Sequence, residues 1–266
     1  MVIQFQKKEW CIPMKDSLTI LTKIESMLQE RHISFDNLTH LEWIQQRAEG
    51  KSFSMSEHIR GMIYSLLSNN RPWEQIEENI ERIDKIFFYY DKDKILNTSS
   101  DYFTEQIQLI KCGNRNIKKQ MNALHDNIHK LERIEKEFGT LDNFVTSGTP
   151  IEIADLLANS LKYKLHTLGL ALAMEYLRNV GIDATKPDTH IRRILGKNRL
   201  GYSSSEIAGE IEAIEIIDTI SEESGYLPSR IDAVFWLFCS DNNGMICTEI
   251  PHCELCSLKG KYCNWN

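Results

Sequence analysis

The chain contains 266 residues, of which 42% are hydrophobic and 26% are charged, and this balance is ordinary for a soluble globular protein of one or two domains. Its formal net charge of −7 argues against a protein that coats nucleic acid through bulk electrostatics, although a local basic face stays compatible with it. No apolar run reaches the length that a membrane span requires, and residues 1–13 lack the apolar core of a secretion signal.

Hydrophobic residues recur at helical spacing along most of the chain. Steps of three and four residues run through positions 55–67, 76–87 and 117–131. No segment shows the sustained alternation of a half-buried strand, and no internal repeat is present. We therefore predict an all-α fold of roughly ten or more helices joined by short polar loops.

Local signals indicate where these helices begin and end. Three hydroxyl–glutamate pairs at i, i+3 spacing are typical of capping boxes: Ser54 with Glu57, Thr149 with Glu152, and Ser203 with Glu206. Pro150 and Pro228 are suited to the first position of a helix. Gly181 and Gly196 follow periodic segments, where a left-handed glycine would end the helix.

Residues 161–195 are predicted to form a helical hairpin followed by a charged turn. The order is a helix, a tight turn at 166–169, a second helix at about 170–180, a break at Gly181 and then Lys-Pro-Asp-Thr-His at 186–190. One interpretation of Asp188 is a simple N-cap, because an aspartate before a helix satisfies backbone N–H groups. The other is a catalytic carboxylate, held ionised by the helix dipole and on an approach stiffened by Pro187.

Four of the seven cysteines lie within 17 residues near the C-terminus: Cys247, Cys253, Cys256 and Cys263. The pattern C-x5-C-x2-C-x6-C can gather four thiolates around one inorganic centre. A single CxxC pair with two outlying cysteines differs from a zinc ribbon, so it favours a cubane 4Fe-4S cluster over zinc, with disulfides as a third alternative. Cys11, Cys112 and Cys239 are scattered, and the odd total indicates reduced thiols and a cytoplasmic location.

Together, the 186–190 motif and the four cysteines resemble the endonuclease III-like helix-hairpin-helix DNA glycosylase superfamily, in its iron–sulfur cluster-containing members. In that superfamily an aspartate begins a helix in a D-T-H or D-x-H setting after the hairpin, as Asp188, Thr189 and His190 do here, and four cysteines follow. The resemblance covers residues 54–263. It implies two helical lobes with the active cleft between them. One lobe is 54–180, with the hairpin at about 161–180; the other combines 1–53 with 181–266 and carries the cluster loop 247–263.

The resemblance implies excision of a damaged, mismatched or modified base from double-stranded DNA in base excision repair. A base inside a duplex must be flipped out, and in the superfamily an amide side chain fills the gap. Asn70 is the candidate for this wedge, with a simple helix-ending turn as the alternative. The candidate DNA contacts are Asn69, Asn70, Lys162, Lys164, His166, Gly169, His190 and Arg193. A monomer without membrane partners is expected.

Elementary chemistry supports Asp188 as the catalytic residue. Cleavage of an N-glycosidic bond develops positive charge on the sugar, so an ionised carboxylate beside the sugar carbon lowers the barrier. The same carboxylate can orient or deprotonate an attacking water.

Two departures from the superfamily pattern affect the predicted chemistry. Glycosylases of this group that also nick the strand use a lysine near the start of the second hairpin helix, whereas the aligned positions here are Leu170 and Ala171. We therefore predict a monofunctional enzyme that uses water and leaves an abasic site. Thr167 replaces the first glycine of the G-x-G turn, so only Gly169 stays available for close approach to a phosphate, and basic residues at 162–166 are candidates to compensate.

Two other functions stay open at the level of sequence. A glycosylase-like module that binds damaged or modified DNA without cutting it would suit the degenerate hairpin. A zinc-stapled helical interaction protein would have no role on nucleic acid. No linear motif encodes the choice of base, so the sequence does not predict the substrate.

Overall fold

The computed structural model describes residues 16–34, 39–69, 71 and 73–265. Within these ranges the regular structure is helical, and the one β-type pairing is an isolated bridge between Lys259 and Cys263. The prediction of an all-α fold is confirmed. In the same ranges, no helix is both long enough and apolar enough to span a bilayer.

Fifteen α-helices follow one another along the described residues. In chain order they are α1 (Ser17–Glu30), α2 (Thr39–Ala48), α3 (Met55–Leu67), α4 (Trp73–Glu77), α5 (Ile80–Ile86), α6 (Lys92–Leu96), α7 (Ser100–Leu109), α8 (Ile117–Asn122), α9 (Leu124–Phe138), α10 (Leu141–Val145), α11 (Pro150–Asn159), α12 (Leu170–Asn179), α13 (Thr189–Ile194), α14 (Glu210–Ser224) and α15 (Pro228–Cys239). Short helical turns lie at Phe88–Tyr90 and Cys253–Leu255.

The chain divides into two compact units. The discontinuous unit combines Met1–Leu41 with Asp183–Asn266, and the continuous unit is Glu42–Ile182. The sequence placed the corresponding boundary at residue 54, later than the division seen here. Arg47 explains the difference, because it donates to the Val180 carbonyl at 2.7 and 2.8 Å and pairs with Asp142 at 2.6 Å, joining α2 to the continuous unit.

The continuous unit is built around the contact between α3 and α12. Gly61 in α3 allows the two helices to approach, because a Cβ there would lie 3.1 Å from Val180 Cγ1 and 3.2 Å from Asn179 Cβ. Asn179 then donates to the Gly61 carbonyl at 3.1 Å. Apolar side chains of α3, such as Ile59 and Met62, are fully buried, and each such burial stabilises the fold by roughly 1.5–3 kcal/mol.

The discontinuous unit packs α1, α13, α14 and α15 around one apolar core. Ile20, Ile24, Ile217 and Phe235 are completely buried in this core. Cys247 belongs to the same core, and Cys256 and Cys263 pack against its edge. The C-terminal segment is therefore attached to the unit by apolar contacts.

Two of the three predicted capping boxes are confirmed, and the third is wrong. Ser54 with Glu57 and Thr149 with Glu152 make both reciprocal hydrogen bonds. Ser203 does not cap a helix, because α14 begins only at Glu210. There the Gly209 N–H donates to Glu212 at 2.9 Å.

The prediction that Gly196 ends a helix in the left-handed conformation is wrong. Gly196 has no left-handed backbone, unlike Gly181 with φ of +76°. Glycine is required at 196 for a different reason, since a Cβ there would lie 1.9 Å from the Glu206 carbonyl oxygen.

Two helices predicted as continuous are divided. The 76–87 stripe separates into α4 and α5, because Asn79 donates its amide to the Gln75 carbonyl at 3.0 Å and ends α4. The 117–131 stripe separates into α8 and α9 at Ala123. The apolar residues of both stripes are buried as predicted except Ile80, which is half-buried; the buried ones include Ile76, Ile83 and Ile128.

Candidate functional site

Asp188 is the N-cap of α13 in the discontinuous unit. Its Oδ1 atom accepts hydrogen bonds from the backbone N–H groups of His190 at 2.8 Å and Ile191 at 3.1 Å. No other hydrogen bond reaches this carboxylate from the described residues, so Oδ2 has no partner among them. The side chain is half-buried. The capping role is therefore real, and it uses one of the two carboxylate oxygens.

The segment before Asp188 is fixed by α15. The Lys186 N–H donates to the buried Asp232 carboxylate at 2.8 Å, and Asp183 accepts from the Ser229 N–H at 2.9 Å. Pro187 adds a fixed φ. These contacts anchor the segment that leads into Asp188.

His190 and Arg193 extend from α13 toward the start of the cysteine segment. Arg193 donates to His190 Nδ1 at 3.1 Å and approaches the Cys247 carbonyl oxygen at 3.5 Å. The His190 ring meets Trp236 edge-on, with centroids 6.4 Å apart. The side chains of His190 and Arg193 thus both make intramolecular contacts. Only their remaining donor atoms could bind a further group.

The four C-terminal thiols lie near one another at the edge of the discontinuous unit. Burial, with a smaller contribution from the other three thiols, raises the pKa of Cys256 to about 11. The Cys239 thiol donates a hydrogen bond to Cys247 and lowers the pKa of Cys247. Among the described residues, no three His, Cys, Asp or Glu side chains are arranged as ligands of one metal ion. The donor set, four thiols on a short segment, is nevertheless the one that an iron–sulfur cluster requires.

The hairpin lies in the continuous unit and consists of α11, the loop 160–169 and α12. Its first helix ends at Asn159, so the predicted helix after residue 161 is wrong. Ser160 causes the turn, because its Oγ accepts from the Lys162 N–H at 3.1 Å and the Tyr163 N–H at 3.3 Å. Asn127 of α9 holds the other side of the loop, accepting from the His166 N–H at 2.6 Å and donating to the His166 carbonyl at 3.0 Å.

Thr167 occupies a backbone conformation that favours glycine. Its φ is +66°, a strained value for a β-branched residue, and its buried Oγ1 has no hydrogen-bond partner in the described residues. Gly169 differs, since its φ is −90° and a Cβ there would meet no atom within 4 Å. The protein itself therefore does not require glycine at 169, which leaves the backbone N–H groups at the start of α12 open to an external group.

The basic residues of the hairpin loop differ in whether their side chains already bind another group of the protein. Lys162 binds the Glu137 carboxylate and lies over the Tyr163 ring, and the hydrogen bond to Glu137 raises the pKa of Lys162. Lys164 is exposed, and His166 is exposed and held through its backbone. Ala171 lies in the first turn of α12, and no lysine occurs in that helix.

Asn69 lies just after α3, at the start of the predicted wedge loop, and Asn70 falls outside the described residues. Two buried amides hold the end of α3, because Asn114 and Gln120 each donate to the Leu66 carbonyl at 3.0 Å. Arg71 holds the far side of the loop by donating to the Lys111 carbonyl at 2.7 Å. The end of α3 and Arg71, on either side of residue 70, are thus each anchored within the continuous unit.

A buried polar network in the continuous unit was not predicted. His58 is fully buried, lies 2.6 Å from the Tyr176 hydroxyl through Nδ1 and 3.2 Å from Asp142 through Nε2, and Asp142 also pairs with Arg47. Burial lowers the pKa of His58. Burial alone would raise the pKa of Asp142, but hydrogen bonds from His58 and Arg47 outweigh it and hold that pKa well below its usual range. Only the buried position of His58 on the apolar face of α3 could have indicated this network.

The fold is similar to those of solved DNA glycosylases. The 8-oxoguanine DNA glycosylase of Thermotoga maritima matches with a TM-score of 0.59 and 18% identity over 84% of this chain and 96% of that one. The Methanocaldococcus jannaschii 8-oxoguanine glycosylase/lyase in complex with a 15mer DNA containing 8-oxoguanine matches with a TM-score of 0.57 and 20% identity over 82% and 96%. A further structure of the M. jannaschii 8-oxoguanine DNA glycosylase matches with a TM-score of 0.57 and 17% identity, over 85% of this chain and 97% of that one.

No family model and no curated protein sequence matches the chain. At 17–20% identity, the structural similarity establishes the fold alone.

Proposed function

We propose that this protein is a DNA glycosylase of base excision repair, which hydrolyses the N-glycosidic bond of a flipped base. The observation that carries the proposal is the Asp188 carboxylate, anchored through Oδ1 at the start of α13 with Oδ2 uncommitted among the described residues. The fold of the chain, which is similar to three solved structures of two DNA glycosylases, supports the same conclusion.

In the proposed reaction, the base leaves as the C1′–N bond breaks and the sugar gains oxocarbenium character. The Asp188 carboxylate stabilises this positive charge and accepts a proton from the attacking water, whose oxygen bonds to C1′. The departing base takes up a proton. The products are a free base and an abasic site. Asp188 acts without reorganisation because its cap and the Lys186–Asp232 contact hold it in place.

We propose 8-oxoguanine in duplex DNA as the first substrate to examine, because the solved enzymes of similar fold are 8-oxoguanine glycosylases. The hairpin is the proposed phosphate anchor, through the open backbone at Gly169 with Lys164 and His166 beside it. The loop of Asn69 and Asn70 is the proposed wedge. A base-release screen read by mass spectrometry, over duplexes carrying oxidised, alkylated and mismatched bases with an unmodified duplex as control, tests the function. Tight binding of a lesion duplex with no base released would support the binding module instead.

We propose that the enzyme is monofunctional. Strand cleavage by a glycosylase/lyase needs an amine nucleophile, and the position where the superfamily lysine would fall is Ala171 in the first turn of α12. Treatment with borohydride during turnover should therefore trap no covalent protein–DNA adduct, while a substituted Ala171→Lys enzyme is the matched positive control. A borohydride-trapped adduct of the wild-type protein would contradict the proposal.

We propose that Cys247, Cys253, Cys256 and Cys263 bind a 4Fe-4S cluster, with zinc as the alternative. The donor set supports this, since each thiolate can hold one iron corner. Packing of Cys247, Cys256 and Cys263 on the core of the discontinuous unit would let the bound cluster tie the C-terminal segment to that unit. When bound, the cluster supplies structural stability, and Asp188 carries the chemistry.

A further inference from the structure

A shallow groove lies in the continuous unit where α9 meets the hairpin loop. Its volume is about 360 Å³, and its lining residues are Lys130, Arg133, Ile134, Glu137, Lys162 and Tyr163. Lys130, Arg133 and Glu137 come from one face of α9, at the spacing that places residues on one side of a helix. Three of the six lining residues are cations, in a chain whose net charge is −7.

The groove and the hairpin loop form one continuous surface. Lys130 Nζ donates to the Lys162 carbonyl at 2.7 Å, which joins the helix to the loop directly. One turn earlier on α9, Asn127 makes the two hydrogen bonds that hold His166. A ligand that follows the hairpin loop would therefore reach the groove without leaving the surface.

The positive charge of the groove is only partly neutralised. Glu137 is countered by Lys162 and also accepts from the Tyr163 hydroxyl at 2.8 Å. Arg133 uses only its Nε, on the His129 carbonyl, and no carboxylate among the described residues pairs with Arg133 or Lys130. Two cations are thus left to bind an anion from outside.

The apolar wall of the groove consists of packed aromatic and aliphatic side chains. The Tyr163 ring packs against Phe138 and Phe144, with centroids 6.0 and 5.4 Å away, and Ile134 is buried beneath. A DNA backbone presents both an apolar deoxyribose face and an anionic phosphate, so it matches a groove with an aromatic wall and two cations that have no carboxylate partner among the described residues.

We propose that Lys130 and Arg133 bind phosphates of the DNA strand next to the stretch that the hairpin holds, extending the duplex footprint along α9. This inference rests on the proposed function, because it takes duplex DNA as the ligand. Neither residue contacts the reacting atoms, so both contribute to binding and not to chemistry.

The test is the salt dependence of binding to a duplex with a tetrahydrofuran abasic-site analogue, measured for the whole protein between about 50 and about 200 mM salt. In the double variant Lys130→Ala with Arg133→Ala, the slope of log affinity against log salt should fall in magnitude by about 1.8, because each phosphate contact contributes about 0.9. Over this salt range, the double variant should therefore lose about tenfold less affinity than the wild-type protein loses.

The matched control is Lys85→Ala with Lys94→Ala, which removes the same charge from exposed lysines paired with Glu81 and Asp91. This control should keep the wild-type slope, and thermal melting should show both double variants folded. If the groove variant and the control have equal slopes while the wild-type protein binds and releases base, the inference is overturned and the proposed function stands. If the wild-type protein binds no duplex at any salt, both fail.

Discussion

At the scale of single residues, one carboxylate oxygen of Asp188 has a structural role, and the other is available for the proposed chemistry. Oδ1 caps α13, and Oδ2 has no partner among the described residues. The N-cap and catalytic interpretations of this residue are therefore compatible. This division also provides a clean separation in mutants, since asparagine keeps the capping oxygen and removes the charge.

The backbone strain of Thr167, whose φ is +66°, can be tested by substitution. Replacement of Thr167 by glycine should raise the free energy of unfolding by about 1 kcal/mol, because relief of the left-handed strain exceeds the entropy that glycine adds to the unfolded chain. Loss of the unpartnered Oγ1 acts in the same direction. Urea unfolding measures the change. Gly225 provides the comparison, since Gly225→Thr places threonine at φ of +74° and should destabilise the protein. A Thr167→Gly protein less stable than wild type would refute the strain.

At the scale of elements, the His58 network joins four helices of the continuous unit. His58 lies on α3, Asp142 on α10, Tyr176 on α12 and Arg47 on α2. Because Nε2 of neutral His58 donates to Asp142, Nδ1 accepts from the Tyr176 hydroxyl. The network thus connects α3, the helix before the proposed wedge loop, with α12, the second helix of the hairpin.

This network predicts how stability depends on pH. The pKa of His58 is lowered in the folded protein, so the unfolded chain binds the proton more readily and stability falls as the pH drops below about 6.5. The pKa of Asp142 is also lowered, so its contribution is present above its ordinary pKa of 3.8 and is lost at lower pH.

Acidification from about pH 7 to about pH 5 should therefore lower the free energy of unfolding, because protonation of His58 favours the unfolded chain. The variant His58→Gln, which cannot gain a proton, should be less stable at neutral pH and lose less on acidification. His129→Gln, at an exposed position, should behave like wild type. Equal pH dependence in His58→Gln and wild type would rule out the buried neutral histidine.

At the scale of the whole molecule, local signals in the sequence predicted more than distant ones. The boxes at Ser54 and Thr149 were predictable because each is made within one turn. The prediction of a capping box at Ser203 was wrong because two other contacts determine where the next helix begins. These are the close approach of Gly196 to the Glu206 carbonyl and the Gly209–Glu212 hydrogen bond. The pairing of His58 with Asp142 joins residues 84 positions apart, and no periodicity reports such a contact.

The candidate site follows the same division. Asp188 and Ala171 were found because each occupies a fixed offset within a motif, at the start of α13 and in the first turn of α12. The groove of Lys130 and Arg133 was not found, because it depends on where the hairpin loop lies on α9. Residues at fixed positions in a motif can be predicted from the sequence, whereas a cluster of surface charges from separate elements can be located only once the fold is known.

The C-terminal cysteines provide the test of the proposed cluster. Protein purified without oxygen should show a broad visible absorbance band and contain iron and acid-labile sulfide. Cys253→Ser should lose both and unfold at a lower temperature, because a bound centre stabilises the folded state. Cys112→Ser, at a buried thiol in the continuous unit, is the matched control and should keep the cluster. Colourless protein that contains zinc would contradict the cluster.

The most direct test of the account compares the wild-type protein with Asp188→Asn in single-turnover release of free base from the best duplex of the screen, read by mass spectrometry. The variant keeps the cap and should keep wild-type stability within about 0.5 kcal/mol and wild-type affinity for the duplex. We predict that its base release falls at least about a hundredfold, with an abasic site as the wild-type product. Equal rates of base release by the two proteins would show that Asp188 is a cap alone and would contradict the account.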